Sequence, residues 1–140
     1  MDDPQLTRGE RNQNPGNIDY DDTAWEGLAN PPSDGRFCIF VSPFYGLRAI
    51  AKILQTYQIE EGLHSVGAII DRWAPASENN TQAYVADVCQ RCSLTPDQPF
   101  AANDAAVQEA LVRAIVIHEN GRCIYTDTEI ATAVQAVLAA

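Results

Sequence analysis

Leu111-Val-Arg-Ala-Ile-Val-Ile-His-Glu-Asn-Gly121 reads as the second half of a core helix that must stop at its glycine. Val107, Leu111, Ile115 and His118 recur at helical spacing, and Asn103 or Asp104 stands where an N-cap is wanted. The same grammar repeats outward along the chain. Ser42-Pro43 opens a helix, serine as cap and proline in the first turn. Its apolar face is Phe44, Leu47, Ile50, Ala51, Leu54 and Tyr57, and Gly62 closes the region. Ser65 caps a short helix to about Trp73, with Val66, Ile69, Ile70 and Trp73 inward. Thr81 caps another to about Cys92, burying Tyr84, Val85 and Val88. Thr126-Asp-Thr-Glu129 is a capping box that starts a last helix running to the C-terminus.

Arg36 to Val41 is the one clear strand pattern. Residues 1–35 are polar and rich in Asp, Asn, Gly and Pro, and read as an irregular arm. The expectation is a mainly α protein of α+β type, with about five helices and a short strand or hairpin. One folding unit is expected overall, an arm over residues 1–35 and a helical domain over residues 36–140. Amphipathic helices of this kind must bury their faces on each other.

Composition narrows the function classes. The chain has 140 residues, 46 % of them hydrophobic, enough for one core. Nine basic residues stand against 19 acidic ones, a net charge of −10 with no basic cluster. That excludes the phosphate-neutralising footprint of a nucleic-acid binder. No apolar run is long enough for a membrane span, and the polar start is the opposite of a signal peptide. Cys89-Gln-Arg-Cys92 has the spacing of a zinc or redox pair, but Cys38 lies in the strand pattern and Cys89 on an apolar helix face. Buried free thiols are the simpler reading of Cys38, Cys89, Cys92 and Cys123. No cofactor or metal is expected.

Three segments are candidates for chemistry. A carboxyl at the end of a core helix, opening into a partly apolar cleft, suits a proton donor for glycoside cleavage. Glu119 has that place, and an ordinary solvated glutamate at a helix end has the same local sequence. Glu78 lies in a polar loop between Trp73-Ala-Pro75 and Thr81. There Asn80 either meets sugar hydroxyls or caps the next helix, and Trp73 either stacks on a sugar or belongs to the core. The segment Arg11 to Ile18, with Asn14 and Asn17, offers the paired donors and acceptors that sugars need. Asparagines also build tight turns by bonding their own backbone.

Arg8-Gly-Glu-Arg-Asn-Gln-Asn-Pro-Gly-Asn-Ile18, followed by Trp25-Glu-Gly27, resembles the start of a family of small phage and prophage proteins. Gly35-Arg-Phe37, Gly46-Leu-Arg-Ala-Ile-Ala-Lys52, Arg72-Trp-Ala-Pro75, Glu78-Asn-Asn-Thr81 and His118-Glu-Asn-Gly121 continue the likeness across nearly the whole chain. That family is one of virion structural proteins and virion-associated lysozyme-like proteins. A looser similarity reaches bacterial wall glucosaminidases and lytic transglycosylases. There a helix ends in a catalytic glutamate, and an Asn-rich turn, a Trp-x-Gly, a Phe-bearing strand and a Tyr-bearing helix follow. Here those parts stand in rotated order. The resemblance therefore implies a circularly permuted lysozyme-like fold that brings the two ends of the sequence together. It implies Glu119 as acid, assisted by Glu78, with Asn14, Asn17, Asn80, Tyr84 and Trp73 along the glycan.

Two functions follow from the resemblance. One is a virion-borne peptidoglycan hydrolase or lytic transglycosylase, acting on cell-wall glycan during phage entry. The other is a non-catalytic structural component of the virion with the same fold. Both imply synthesis in the host cytoplasm, assembly with other phage virion proteins and no signal peptide. A secreted toxin domain of similar fold is a third reading.

Overall fold

A computed structural model of the chain describes residues 5–75 and 80–140. The element order is α1 (Arg8–Arg11), β1 (Leu28–Ser33), β2 (Cys38–Phe40), α2 (Pro43–Ile59), α3 (Val66–Trp73), α4 (Thr81–Cys92), α5 (Ala105–Asn120) and α6 (Asp127–Leu138). The protein is mainly helical with a small antiparallel sheet, an α+β class.

Four of the five longer helices begin where a short polar side chain meets a free N–H. Ser65, Asn80, Asp104 and Thr126 each accept from a backbone N–H in the first turn. Thr126 and Glu129 complete the expected capping box. Ser42 occupies the N-cap of α2 but makes no side-chain cap bond, so Pro43 carries the start of that helix. The cap of α4 is Asn80 rather than Thr81, whose hydroxyl instead donates to the Ala74 carbonyl at 2.6 Å.

Helix α5 is the centre of the packing, lying against α2, α4 and α6, while α2 also packs along α6. Leu111, Val112, Ala114, Ile115 and Val116 of α5 are all fully buried. His118 is not part of that face; it is exposed at the helix end. One polar contact crosses the core. Gln58 of α2 and Gln108 of α5 exchange amide hydrogen bonds of 2.9 and 3.1 Å. A reciprocal amide pair satisfies both buried side chains and fixes the relative register of two otherwise apolar helices.

Of the segment 1–35 expected to be an irregular arm, the described residues 5–35 are folded in. Thr7 and Glu10 form a capping box around the single turn α1, too short to show any hydrophobic period. Leu28–Ser33 is a strand despite its two prolines. Proline donates no ladder bond and is tolerated on an edge. Its ends alone pair in register, Leu28 with Phe40 and Ser33 with Cys38, and the ladder is interrupted between them. An isolated bridge joins Asp19 to Phe37, adding the Asn-rich turn to the other side of β2. That turn lies hard against α2. A Cβ on Gly46 would sit 2.0 Å from the Gln13 carbonyl oxygen, so only glycine permits the approach.

A candidate functional groove around Glu119

The N-terminal turn meets the C-terminal end of α5. Asn120 is the staple. Its amide donates to the Pro15 carbonyl at 2.8 Å and to Val116 of its own helix at 2.9 Å, and its oxygen accepts from the Thr7 hydroxyl at 2.7 Å. Two residues further on, Arg122 forks onto the Glu10 carboxylate at 2.7 and 3.0 Å. Glu10 is almost wholly buried, and the guanidinium holds its carboxyl below the usual carboxylate range. Gly121 ends the helix with φ of 78°, a left-handed turn that suits glycine.

This junction leaves Glu119 half-buried on the wall of a groove of about 520 Å³. Three side chains aim donors at its carboxylate. The Tyr84 hydroxyl lies 3.1 Å from Oε2, the Trp73 indole N–H 3.5 Å from the same oxygen, and the Asn17 amide 3.4 Å from Oε1. These contacts come from α4, α3 and the N-terminal turn, so no single local segment makes the site. Burial, reinforced by the neighbouring Glu119 charge, pushes the Tyr84 phenol far above its ordinary value. It therefore stays protonated and remains a donor. Its ring stacks on His118 at 3.6 Å between centroids, 23° apart in plane.

The candidate residues separate cleanly on this geometry. Glu119, Asn17 and Trp73 line the groove together. Tyr84 is buried behind Glu119 and touches its carboxylate rather than the groove. Asn14 is not available to a ligand. It is fully buried, its amide bonds the Ile18 and Cys38 carbonyls at 3.0 Å, and its oxygen accepts from the Ile18 N–H at 3.0 Å. The self-bonded turn is the use the fold makes of it. Asn80 caps α4 through the Ala83 N–H at 3.2 Å and does not line the groove. Glu78 lies outside the described residues.

The groove is also lined by residues that the sequence did not single out as site candidates. Asp19, Asp21, Trp25, Arg36 and Phe37 belong to the turn and hairpin, and Tyr57 comes from α2. The Arg36 guanidinium lies over the Phe37 ring at 4.6 Å. The signal that marks them is adjacency: Asp19 and Asp21 continue the Asn-rich turn directly.

Among the described residues no three His, Cys, Asp or Glu side chains gather as a metal site. Cys38, Cys89, Cys92 and Cys123 are free thiols, the first two buried. Burial pushes the Cys38 thiol up to about 11, with nearby aspartates adding to the shift. No described helix is long and apolar enough to cross a membrane.

Fold and groove together define a small α+β protein with a half-buried glutamate closing one helix. No family model matches the chain. It is 38 % identical over 129 residues to Protein P5 of Pseudoalteromonas phage PM2, an alignment that covers 90 % of this chain and 79 % of that protein. The chain belongs to the family of Protein P5, and the phage kinship expected from its motifs is borne out. The kinship brings a phage relative and no lysozyme assignment.

Proposed function

We propose that this protein is a component of the phage particle and that its groove engages cell-wall glycan, with Glu119 as proton donor. The first half of the reading rests on kinship with a phage protein. The second rests on one observation: a half-buried carboxyl, held by Tyr84, Trp73 and Asn17, lies on a groove that also carries exposed polar and half-buried aromatic side chains. Sugars are held by stacking on aromatic rings and by polar side chains, and the half-buried Trp73 and the exposed Asp21 and Arg36 offer both. A proton donor needs reach to the leaving oxygen and fixed geometry, which the donors behind Glu119 supply. The acidic balance of the chain fits delivery by a particle better than free diffusion to an anionic wall.

The test is release of soluble glycan from purified host peptidoglycan by the parent and by Glu119→Gln. The parent is expected to be active and the variant to lose at least about 100-fold, the scale of one general acid, with unchanged far-UV circular dichroism. Equal activity of the two proteins rejects Glu119 as the donor.

A second reading is a non-catalytic structural component of the particle. The kinship favours it, because it carries a phage origin and no activity with it. It predicts that no wall preparation is cleaved by the parent.

A further inference from the structure

We propose that the groove seats an arginine side chain of another virion protein, with its guanidinium on Glu119 and Trp73; this seat depends on the particle half of the reading above, not on its glycan half. The groove wall carries three carboxylates, Asp19, Asp21 and Glu119, against one guanidinium, Arg36. The two exposed acids have local partners. Asp19 faces Arg36 at 3.4 Å, and Asp21 accepts from the Thr23 N–H at 3.1 Å. Glu119 differs. It is half-buried, and among the described residues it stands in no ion pair. Its donors Tyr84, Asn17 and Trp73 are neutral and lie at 3.1, 3.4 and 3.5 Å. Half-burial of a carboxylate without a counter-charge leaves its lost hydration uncompensated. A cation is what this carboxyl lacks.

Elsewhere the same groove already receives such cations. Arg8 and Arg36 each place a guanidinium 4.6 Å from the centre of the Phe37 ring, and each also meets a carboxylate, Asp34 and Asp19. Arg72 lies 5.6 Å from the centre of Tyr57 and 2.9 Å from Glu61. Ring, guanidinium and carboxylate thus occur together at Phe37 and at Tyr57, both of which line the groove. Trp73 and Glu119 repeat the ring and the acid, with the indole N–H 3.5 Å from Oε2. Among the described residues no guanidinium lies over either tryptophan. Arginine suits this place better than lysine, because a planar fork bonds a carboxylate and stacks on an indole at once.

The cation comes from a different protein. Seven of the chain's nine basic residues already stand in ion pairs. Of the other two, Lys52 bonds Gln55 and Arg11 bonds the Leu6 carbonyl. A second copy also carries the same net charge of −10, so two copies repel, whereas a neighbour with a basic segment is attracted. Sugar and arginine use the same wall, so a groove filled in the particle takes no glycan until the neighbour leaves.

Both tryptophans of the chain, Trp25 and Trp73, line the groove, so intrinsic fluorescence reports its occupancy. The full chain is titrated with a blocked glycine–arginine pentapeptide carrying two arginines, and with its citrulline counterpart, which keeps the shape and loses the charge. The arginine peptide is expected to saturate with Kd below about 1 mM, and the citrulline peptide to bind at least about tenfold more weakly. Glu119→Gln is expected to weaken the arginine peptide about tenfold or more. Glu109→Gln removes the same charge ten residues earlier on α5, about 15 Å away and outside the groove. It is expected to change Kd by less than about twofold. The proposal is overturned by an arginine peptide that does not saturate, by equal binding of the citrulline peptide, or by equal effects of the two substitutions. Should Glu119→Gln melt lower than the parent, the citrulline comparison on the parent decides alone. A chain that binds an N-acetylglucosamine hexamer and not the arginine peptide leaves the glycan reading and removes this one. A parent inert on every wall preparation that still binds the arginine peptide does the reverse.

Discussion

Replacing Asn14 by alanine separates a scaffold residue from a ligand residue. The side chain is fully buried and makes bonds of 3.0 Å with the Ile18 N–H, the Ile18 carbonyl and the Cys38 carbonyl. Alanine removes all of them. The Ile18 carbonyl keeps the Cys38 N–H at 2.9 Å, so its loss is small. The Ile18 N–H and the Cys38 carbonyl each forfeit a buried partner, at about 1–3 kcal/mol apiece. The expected destabilisation is therefore about 3 kcal/mol, or about 10 °C in melting point for a domain of this size. Thermal unfolding followed by circular dichroism reads it directly. Asn14→Asp sharpens the test. It retains the acceptor for Ile18 but sets a carboxylate oxygen against two carbonyls in place of the amide donor. Its folded-state pKa must rise, because only the protonated acid can donate there. Stability of that variant is then highest in acid and falls as pH rises through the folded pKa. An Asn14→Ala protein within about 3 °C of the parent, or an Asn14→Asp protein with no such pH dependence, refutes the scaffold role.

Glu10 gives the opposite pH sign. Arg122 depresses its carboxyl below the ordinary value of 4.5, so the pair's contribution is present above that value and is lost as pH falls through the folded pKa. Melting curves of the parent and Glu10→Gln are expected to differ at neutral pH and to converge in acid; parallel curves at every pH discount the pair. Tyr84→Phe removes the shortest hydrogen bond to Glu119 while keeping the stack on His118. The loss in melting free energy is expected at about 1 kcal/mol, measured by urea unfolding, and a change above about 3 kcal/mol shows that the ring rather than the hydroxyl was disturbed.

The main helices were legible because each carries a hydrophobic period and a polar cap. Both signals are local, and α2, α3, α5 and α6 start where Ser42, Ser65, Asp104 and Thr126 stand. The N-terminal segment was not legible as structure. Its helix is one turn long, and its strand contains Asn30-Pro31-Pro32, which reads as a break. Its order comes from contacts remote in sequence, Asn120 to Pro15 and Arg122 to Glu10. At the site, Glu119 was found from its position before Gly121, and Asn17 from the asparagine pattern. The same pattern could not tell Asn17 from Asn14, because burial decides which amide meets the groove. Asp19 and Asp21 were passed over because an acidic run after a turn looks like any solvated loop.

The groove is less robust than the core beneath it, and the sequence shows why. An isolated helical turn such as Arg8–Arg11 does not form on its own, since nucleation costs more than one turn returns. It persists through the Thr7–Asn120 bond and the Glu10–Arg122 fork. Those same contacts hold the segment that bears Asn17 and Asp19 over Glu119. Breaking them leaves Leu111, Val112, Ile115 and their partners on α2, α4 and α6 packed, yet it removes one wall of the groove. Opening at the N-terminal junction is therefore a sub-global event with its own, smaller free energy. The N-terminal junction thus sets one part of the groove wall, while α2, α3 and α5 set another through Tyr57, Trp73 and Glu119.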